Sequence, residues 1–478
     1  MNYGQFLNMI PEAILVLALI IVFVADFCIA KKKVKGYLLQ TLTVVLLAVT
    51  TAVTLVWAEP TTAFQGLYVT TEAVNVMKVI LTLGTLIVCI MAQPWIESSA
   101  VTVKNEGEFY MLVLSTLLGM YMMMSSGNFL MFFLGLEMAS VPMACLVAFD
   151  KYKKNSAEGA AKYILTATFS SGVMLYGISF LYGATGTLYF DDMAAKMTAT
   201  PLTIMGLVFF FSGLGFKISL VPFHFWTADA YQGAPTPVTG YLSVVSKGAA
   251  TLTLCIILMK VFAPMVEYWE YLLDIVIVLT ITVGNLFAMR QKELKRFMAF
   301  SSISQAGYIM LAVIGNSSMG VAALIFYVLV YVVANMAVFT VINVVEHNNG
   351  GTTHMDAYNG FYMTNPRLSF LMTLALFSLA GIPPFAGMFS KFFVFMAAAG
   401  EGSFWAYFVV FVALINTVVS LYYYLLIVKA MYIKPSATPL PPFKSDCNTK
   451  FALALCTVGI VAFGVCSCIY EWISSAAM

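Results

Sequence analysis

The chain has 478 residues, of which 61% are hydrophobic and only 10% charged, with a mean hydropathy of +0.92 and a formal net charge of +2. A soluble globule needs roughly a quarter of its surface charged, so the composition excludes one, and near-neutrality offers no footing for nucleic acid. What remains is an all-α polytopic membrane protein embedded in the lipid bilayer.

At about 20 apolar residues per crossing, spans are predicted at 6–30, 37–57, 70–92, 109–125, 128–149, 159–184, 201–222, 237–263, 267–289, 296–315, 318–345, 367–385, 403–430 and 451–473. That is fourteen, with 223–236 and 386–400 as further half-length pieces. The first run is a full span without a basic start or a small-residue cleavage site, so it reads as a helix rather than a signal peptide. With the N-terminus outside, seventeen of the 24 Lys and Arg residues fall in cytoplasmic loops, beginning with Lys31, Lys32, Lys33 and Lys35, and only Lys196 falls in an outer loop. This asymmetry is the positive-inside rule, and with an even span count it puts both termini outside. The eight cysteines show no CxxC or Cys/His spacing and read as small core hydrophobes.

The other six basic residues, Lys78, Lys162, Lys217, Lys247, Lys260 and Lys391, lie inside predicted spans. An ammonium in hydrocarbon is expensive and persists where it faces a protein interior, a partner charge or water, so such residues point to ion or proton handling. In chain order, Lys78 stands six residues after Glu72, with a helix-end pair and a proton-uptake role both open. Glu137 sits near the middle of span 5, where a lone carboxylate stays protonated or finds a cation. Glu158 and Lys162, four apart at the start of span 6, share a helix face and read either as an ion pair or as an uptake site. In span 7, Pro222 follows Lys217 and clashes one turn back, near Ile218. The expected kink frees carbonyls and admits water beside the ammonium. His224, seven residues after Lys217, shares its face if helicity resumes, and reads as a relay member or an interhelical hydrogen bonder. Span 8 opens on Gly233-Ala234-Pro235-Thr236-Pro237 and carries Lys247, with Ser243 and Ser246 expected near its ammonium. Lys260 is read as snorkelling to the interface, and His347 and His354 as loop residues. Span 12 repeats the device of span 7: Gly381-Ile382-Pro383-Pro384 breaks it and Lys391 follows. Two interrupted spans five apart point to an internal repeat, pairing spans 4–8 with 9–13. The domains are then 1–108, 109–265 and 266–435 for the two five-helix repeats of inverted topology, and 436–478.

The run VPFHFWTADAYQGAPTPV at 221–238, SVVSK ending at Lys247, LGLEMASVP around Glu137, KELKRFMAFSSISQAGY at 292–308 and LAGIPPFAGMFSKF at 379–392 resemble the antiporter-like subunits of respiratory NADH:quinone oxidoreductase, complex I. Tyr231-Gln232-Gly233 and a lysine at 391 resemble the subunit N branch of that family, whereas the M branch has a glutamate in span 12. The chain departs from the pattern at Thr227-Ala228, where the family often has a proline. The resemblance implies a proton relay: Glu137 as the charge partner of Lys217, Lys217 as the switching lysine, Lys247 as connector and Lys391 as the terminal lysine. Glu158 and Lys162 match family positions too, as relay or entry residues. It implies a translocase subunit of the bacterial inner membrane, with periplasmic termini, driven by quinone reduction elsewhere in the complex. It also implies neighbouring membrane subunits resembling M, L, K, J, A and H, quinone and redox centres in partner subunits, and no cofactor or metal in this chain. A subunit of a multi-subunit sodium/proton antiporter and a non-conducting scaffold are the alternatives; sodium-dependent transport would mark the first and absence of transport the second.

Overall fold

A computed structural model describes residues 3–30, 37–436 and 439–477. Lys31, Lys32, Lys33 and Lys35, which weigh in the orientation above, lie outside the described residues. Among the described residues thirteen helices are long and apolar enough to cross a bilayer: span 1 at Ile10–Cys28, span 2 at Leu38–Trp57, span 3 at Glu72–Glu97, span 4 at Glu106–Met124, span 5 at Phe129–Val147, span 6 at Lys154–Thr185, span 7 at Pro201–Ile218, span 8 at Thr236–Lys260, span 9 at Ala263–Ala288, span 10 at Leu294–Ile314, span 11 at Ser318–Asn348, span 13 at Phe404–Tyr432 and span 14 at Cys447–Val465. Span 12 is the fourteenth, built from two shorter apolar helices, Pro366–Ala380 and Ala386–Ala399.

The predicted window 367–385 thus held one half of span 12 and its break, and the extra piece at 386–400 is the other half. The extra piece at 223–236 is a short helix, Phe225–Gly233, that continues span 7 beyond its break. Span 14 stops earlier than predicted, at extended Cys466, and a separate helix, Ser467–Ala476, follows. A break without Pro leaves no trace in hydropathy, which is why the sequence did not reveal it.

Helical spans dominate because backbone polar groups in hydrocarbon have no water to bond, and a helix satisfies them internally. Side-chain caps mark several starts: Thr71 accepts from Val74 N, Asn128 from Leu130 N, Ser317 from Gly320 N and Ser403 from Ala406 N. Thr200 and Thr203 form a capping box ahead of span 7, with Pro201 in the first turn. The antiparallel pair Thr61–Ala63 with Tyr68–Thr70, in register Thr61 to Thr70, lies between spans 2 and 3. Fourteen alternating crossings bring both termini to the same end of the bundle, called here the terminal end; the other is the basic end.

Spans 3, 8, 10 and 11 are almost wholly buried, while spans 1, 6 and 13 expose most of their surface, including Leu165, Phe169, Phe411 and Val418. That inverts a soluble protein's pattern, since lipid accepts apolar side chains outside and the polar ones gather within. Small residues allow close helix approach: a Cβ at Gly119 on span 4 would lie 2.4 Å from Ala139 N on span 5.

Candidate functional site: a buried lysine axis

Span 7 ends at Ile218, where Ser219 takes φ +70°, and helix resumes only at Phe225 after the cis Val221-Pro222 peptide. The predicted break beside Lys217 is present. The freed carbonyls, however, are taken up by the chain: Gly215 O accepts Leu220 N at 2.8 Å, and Phe216 O accepts Ser219 N and the Trp226 indole, each at 3.0 Å. His224 lies in the gap between the two helices, so it shares no continuous helical face with Lys217. It is buried, stacked on Phe225, and its Nδ1 has no partner among the described residues.

Lys217 is 3% exposed. Its Nζ donates to Ser140 Oγ at 2.8 Å and to Tyr163 Oη at 3.2 Å, and lies 5.9 Å from the Tyr163 ring centre. Glu137 is half-buried on span 5. The ammonium bonds to Ser140, one turn further along that helix, rather than to Glu137.

Span 8 carries a π turn, Leu242–Ser246, immediately before Lys247. Such wide turns recur at functional positions and re-aim the side chains that follow. The Lys247 ammonium bonds not to Ser243 or Ser246 but to Ser302 Oγ on span 10, at 2.8 Å, over the Tyr231 ring at 5.5 Å. Ser243 instead accepts from Asn335 Nδ2 at 2.7 Å. The local serine prediction fails because the long side chain of Lys247 reaches across to Ser302 on span 10 while Ser243 is engaged by Asn335.

Span 12 ends its first half at Gly381, φ +89°, and resumes after the cis Pro383-Pro384 peptide. Lys391, 4% exposed, donates to Ala380 O at 3.0 Å and sits 4.9 Å from the Tyr308 ring centre. Between Lys247 and Lys391 the interior is bridged by Ser301, next to Ser302, which bonds Tyr424 Oη at 2.5 Å. Gln305 donates to Tyr424 Oη at 3.1 Å and to Leu379 O at 3.2 Å, and accepts from Tyr327. The buried lysines thus sit in three hydrogen-bonded groups: Lys217 with Ser140 and Tyr163, Lys247 with Ser302 and Tyr231, and Lys391 on Ala380 O beside the group Ser301, Tyr424 and Gln305.

The other intramembrane lysines behave differently. Lys162 pairs with Glu158 and with Asp229, each at 2.7 Å, and Asp229 also holds Arg296 at 2.5 Å, so a partly exposed network ties spans 6, 7 and 10. Lys260 pairs with exposed Asp191 at 2.8 Å, as a snorkelling lysine would. Lys78 pairs with Glu12 of span 1 at 2.6 Å, not with Glu72; a contact across 66 positions in sequence left no local signal. Lys295 faces Glu346 at 3.5 Å. Lys217, Lys247 and Lys391 are thus held by hydroxyls, a carbonyl and aromatic faces, and each of the others by a carboxylate.

Sequence reasoning missed Ser140, Tyr163, Tyr231, Ser302, Gln305, Tyr308 and Tyr424. The available signal was span 10 itself, where Ser301, Ser302, Ser304, Gln305 and Tyr308 crowd a wholly buried crossing. No group of three or more His, Cys, Asp or Glu side chains among the described residues is placed to hold a metal.

Comparison with known proteins supplies the family. The transmembrane profile of the NADH:quinone oxidoreductase/Mrp antiporter family matches residues 126–418, which contain Glu137, all three axis lysines and both breaks. The chain belongs to that family. A NADH-quinone oxidoreductase subunit N from Phocaeicola vulgatus is 54% identical over 478 residues, covering 100% of both chains. A chain in the structure of respiratory complex I from Thermus thermophilus superposes with a TM-score of 0.80 at 32% identity, covering 95% of this chain and 97% of that one. A chain of the Mrp complex from Dietzia sp. DQ12-45-1b has a TM-score of 0.83 at 21% identity, covering 100% of this chain and 97% of its own, and shares the fold alone. Of these three, the two at 32% identity or more come from an NADH-quinone oxidoreductase subunit N and from a respiratory complex I structure.

Proposed function

We propose that this antiporter-like subunit moves protons across the bacterial inner membrane along the axis Lys217, Lys247 and Lys391, within a respiratory NADH:quinone oxidoreductase whose other subunits carry the quinone and redox chemistry. It is a membrane subunit of that class of complex on the strength of full-length relatives bearing the name. The observation that carries the reading is the partner chemistry of the lysines. A lysine that only staples helices brings an acid with it, because an unpaired buried charge is costly. Three lysines whose hydrogen bonds go only to hydroxyls and a carbonyl, with ring faces beside them, can lose and regain a proton without breaking a direct ion pair.

Glu137, one turn from Ser140, is the group whose charge biases Lys217. A unit charge at about 4 Å and an effective dielectric of ~20 is worth ~4 kcal/mol. Moving one proton against about 200 mV takes ~4.6 kcal/mol. An approach or withdrawal of Glu137 is therefore of the right size to gate a step driven by quinone reduction elsewhere. Glu158 and Lys162, with Asp229, form the basic-end surface next to this start, and His224 with its open Nδ1 stands in the break. On this reading the basic end is cytoplasmic and the termini periplasmic, residues 109–265 and 266–435 form the two inverted repeats, membrane partners resemble subunits M, L, K, J, A and H, and this chain binds no redox cofactor.

The test is quinone-linked proton pumping by the whole complex in proteoliposomes, at matched assembly, for wild type, Lys217→Ala, Lys391→Ala and Glu137→Ala. Reduced protons per electron in all three variants supports the relay. Wild-type stoichiometry makes the chain a scaffold, and stoichiometry that follows external sodium makes it a sodium carrier.

A further inference from the structure

Outside the axis, a second charged site is sealed under the terminal end. Glu12 and Lys78 form an ion pair of 2.6 Å whose side chains are 3% and 0% exposed. Tyr68, on the second strand of the hairpin, donates to Glu12 Oε2 at 2.9 Å and accepts from Lys78 Nζ at 3.2 Å. Ser125 Oγ reaches Glu12 Oε1 at 3.4 Å. The ammonium also lies between two rings, 5.4 Å from the centre of Tyr68 and 5.5 Å from that of Tyr121. Above the pair is a cavity of about 120 Å³ lined by Pro11, Trp57, Glu59, Thr61, Tyr68 and Asn75. Trp57 and Glu59 at its rim are exposed, and Tyr68 touches both the cavity and the ion pair.

On the inner side, hydroxyls descend toward the axis. Thr82, one turn from Lys78 on span 3, bonds Tyr121, whose Oη also donates to Lys78 O at 3.1 Å. Deeper on span 4, Thr116 Oγ and Tyr241 Oη are 2.8 Å apart, and Tyr241 belongs to the helix that carries Lys247. Spans 3, 4 and 8 thus carry two hydroxyl pairs between the cap and the helix that bears Lys247.

We infer that Glu12, Lys78 and Tyr68 form a proton-release site at the terminal end, a branch of the translocation route through the three N-terminal spans. Among the described residues the axis lysines form no direct ion pair, so a proton leaving them for solvent needs an acceptor that can give it up outside. Here the Lys78 ammonium passes a proton to Glu12, leaving a neutral amine and a neutral carboxylic acid. The acid passes it to the Tyr68 oxygen as Tyr68 releases its own proton into the cavity, and the carboxylate is restored. The amine regains a proton from the axis side and the pair re-forms. A purely structural pair is the contrasting case: apolar residues of similar size serve a packed interior as well as a buried ion pair does.

This inference rests on the proposed proton transport and is tested beside it. The whole complex, reconstituted in proteoliposomes at matched assembly, is assayed as wild type, Tyr68→Phe, the double variant Glu12→Leu with Lys78→Met, and Lys217→Ala. The release site predicts that Tyr68→Phe and the double variant assemble and lose as large a share of pump stoichiometry as Lys217→Ala. Tyr68→Phe removes a single oxygen and stands as the test should the double variant fail to assemble. Wild-type stoichiometry in Tyr68→Phe alongside a loss in Lys217→Ala overturns the release site and leaves the axis standing. Wild-type stoichiometry in Lys217→Ala as well overturns the transport reading itself.

Discussion

Ser302→Ala isolates the hold on Lys247 without touching a charge. Ser302 Oγ accepts the Lys247 ammonium at 2.8 Å, bonds Ala299 O at 2.8 Å and lies 3.3 Å from Tyr231 Oη. With the hydroxyl gone, the ammonium, 2% exposed, keeps the Tyr231 ring at 5.5 Å as its remaining close support. A hydrogen bond to a charged group contributes ~1.5–3 kcal/mol, while a desolvated cation–ring contact is worth ~2, so roughly half of the local support for the charged form disappears. At 1.36 kcal/mol per factor of ten, that shifts the balance between charged and neutral Lys247 toward the neutral form by about 10- to 150-fold. A relay that passes every proton through Lys247 then slips or stalls. The assay is protons pumped per quinone reduced in proteoliposomes, with Ser302→Thr, which keeps a hydroxyl, as the control. Ser302→Ala is expected to lose stoichiometry and Ser302→Thr to retain most of it. Normal pumping by Ser302→Ala would refute the argument that this hydroxyl makes charged Lys247 accessible.

Gly381→Ala places an L-residue at φ +89°, with its Cβ 3.1 Å from Lys391 Cδ. The left-handed backbone costs ~1–2 kcal/mol, so a lower thermal midpoint together with impaired pumping is expected, and a neutral result in both would contradict the geometry of the break. Gly119→Ala would set its new Cβ against the Ala139 backbone and force spans 4 and 5 apart; overpacking of this kind costs ~1–3 kcal/mol, visible as a reduced yield of assembled complex. Asp229→Asn removes the anion shared by Lys162 and Arg296 and should lower the thermal midpoint. Because these groups are partly exposed, the difference from wild type should shrink as salt screens the charges; a difference independent of salt would mean the network is held by shape rather than charge.

Hydropathy alone established the class, the fourteen crossings and the position of both broken spans, because lipid forces each crossing to be a long apolar helix and Pro or Gly pairs disrupt it at a local address. It also marked Lys217, Lys247 and Lys391, since a charge in such a run is visible without knowing its surroundings. The partners were not legible. Ser140 lies 77 positions from Lys217, Ser302 55 positions from Lys247, and Glu12 belongs to a different span from Lys78. A hydroxyl in a membrane helix often bonds its own backbone one turn back, as Thr43, Thr51 and Thr85 do here, so its sequence context does not separate that use from holding an ammonium. The local serine expectation at Lys247 fails for the same reason: its acceptor, Ser302, is on another span, and Ser243 is taken by Asn335. Which residues are charged inside the membrane is therefore a property of the chain, whereas which of those charges keep an acid and which keep only hydroxyls and rings is decided by the packing of spans that are distant in sequence.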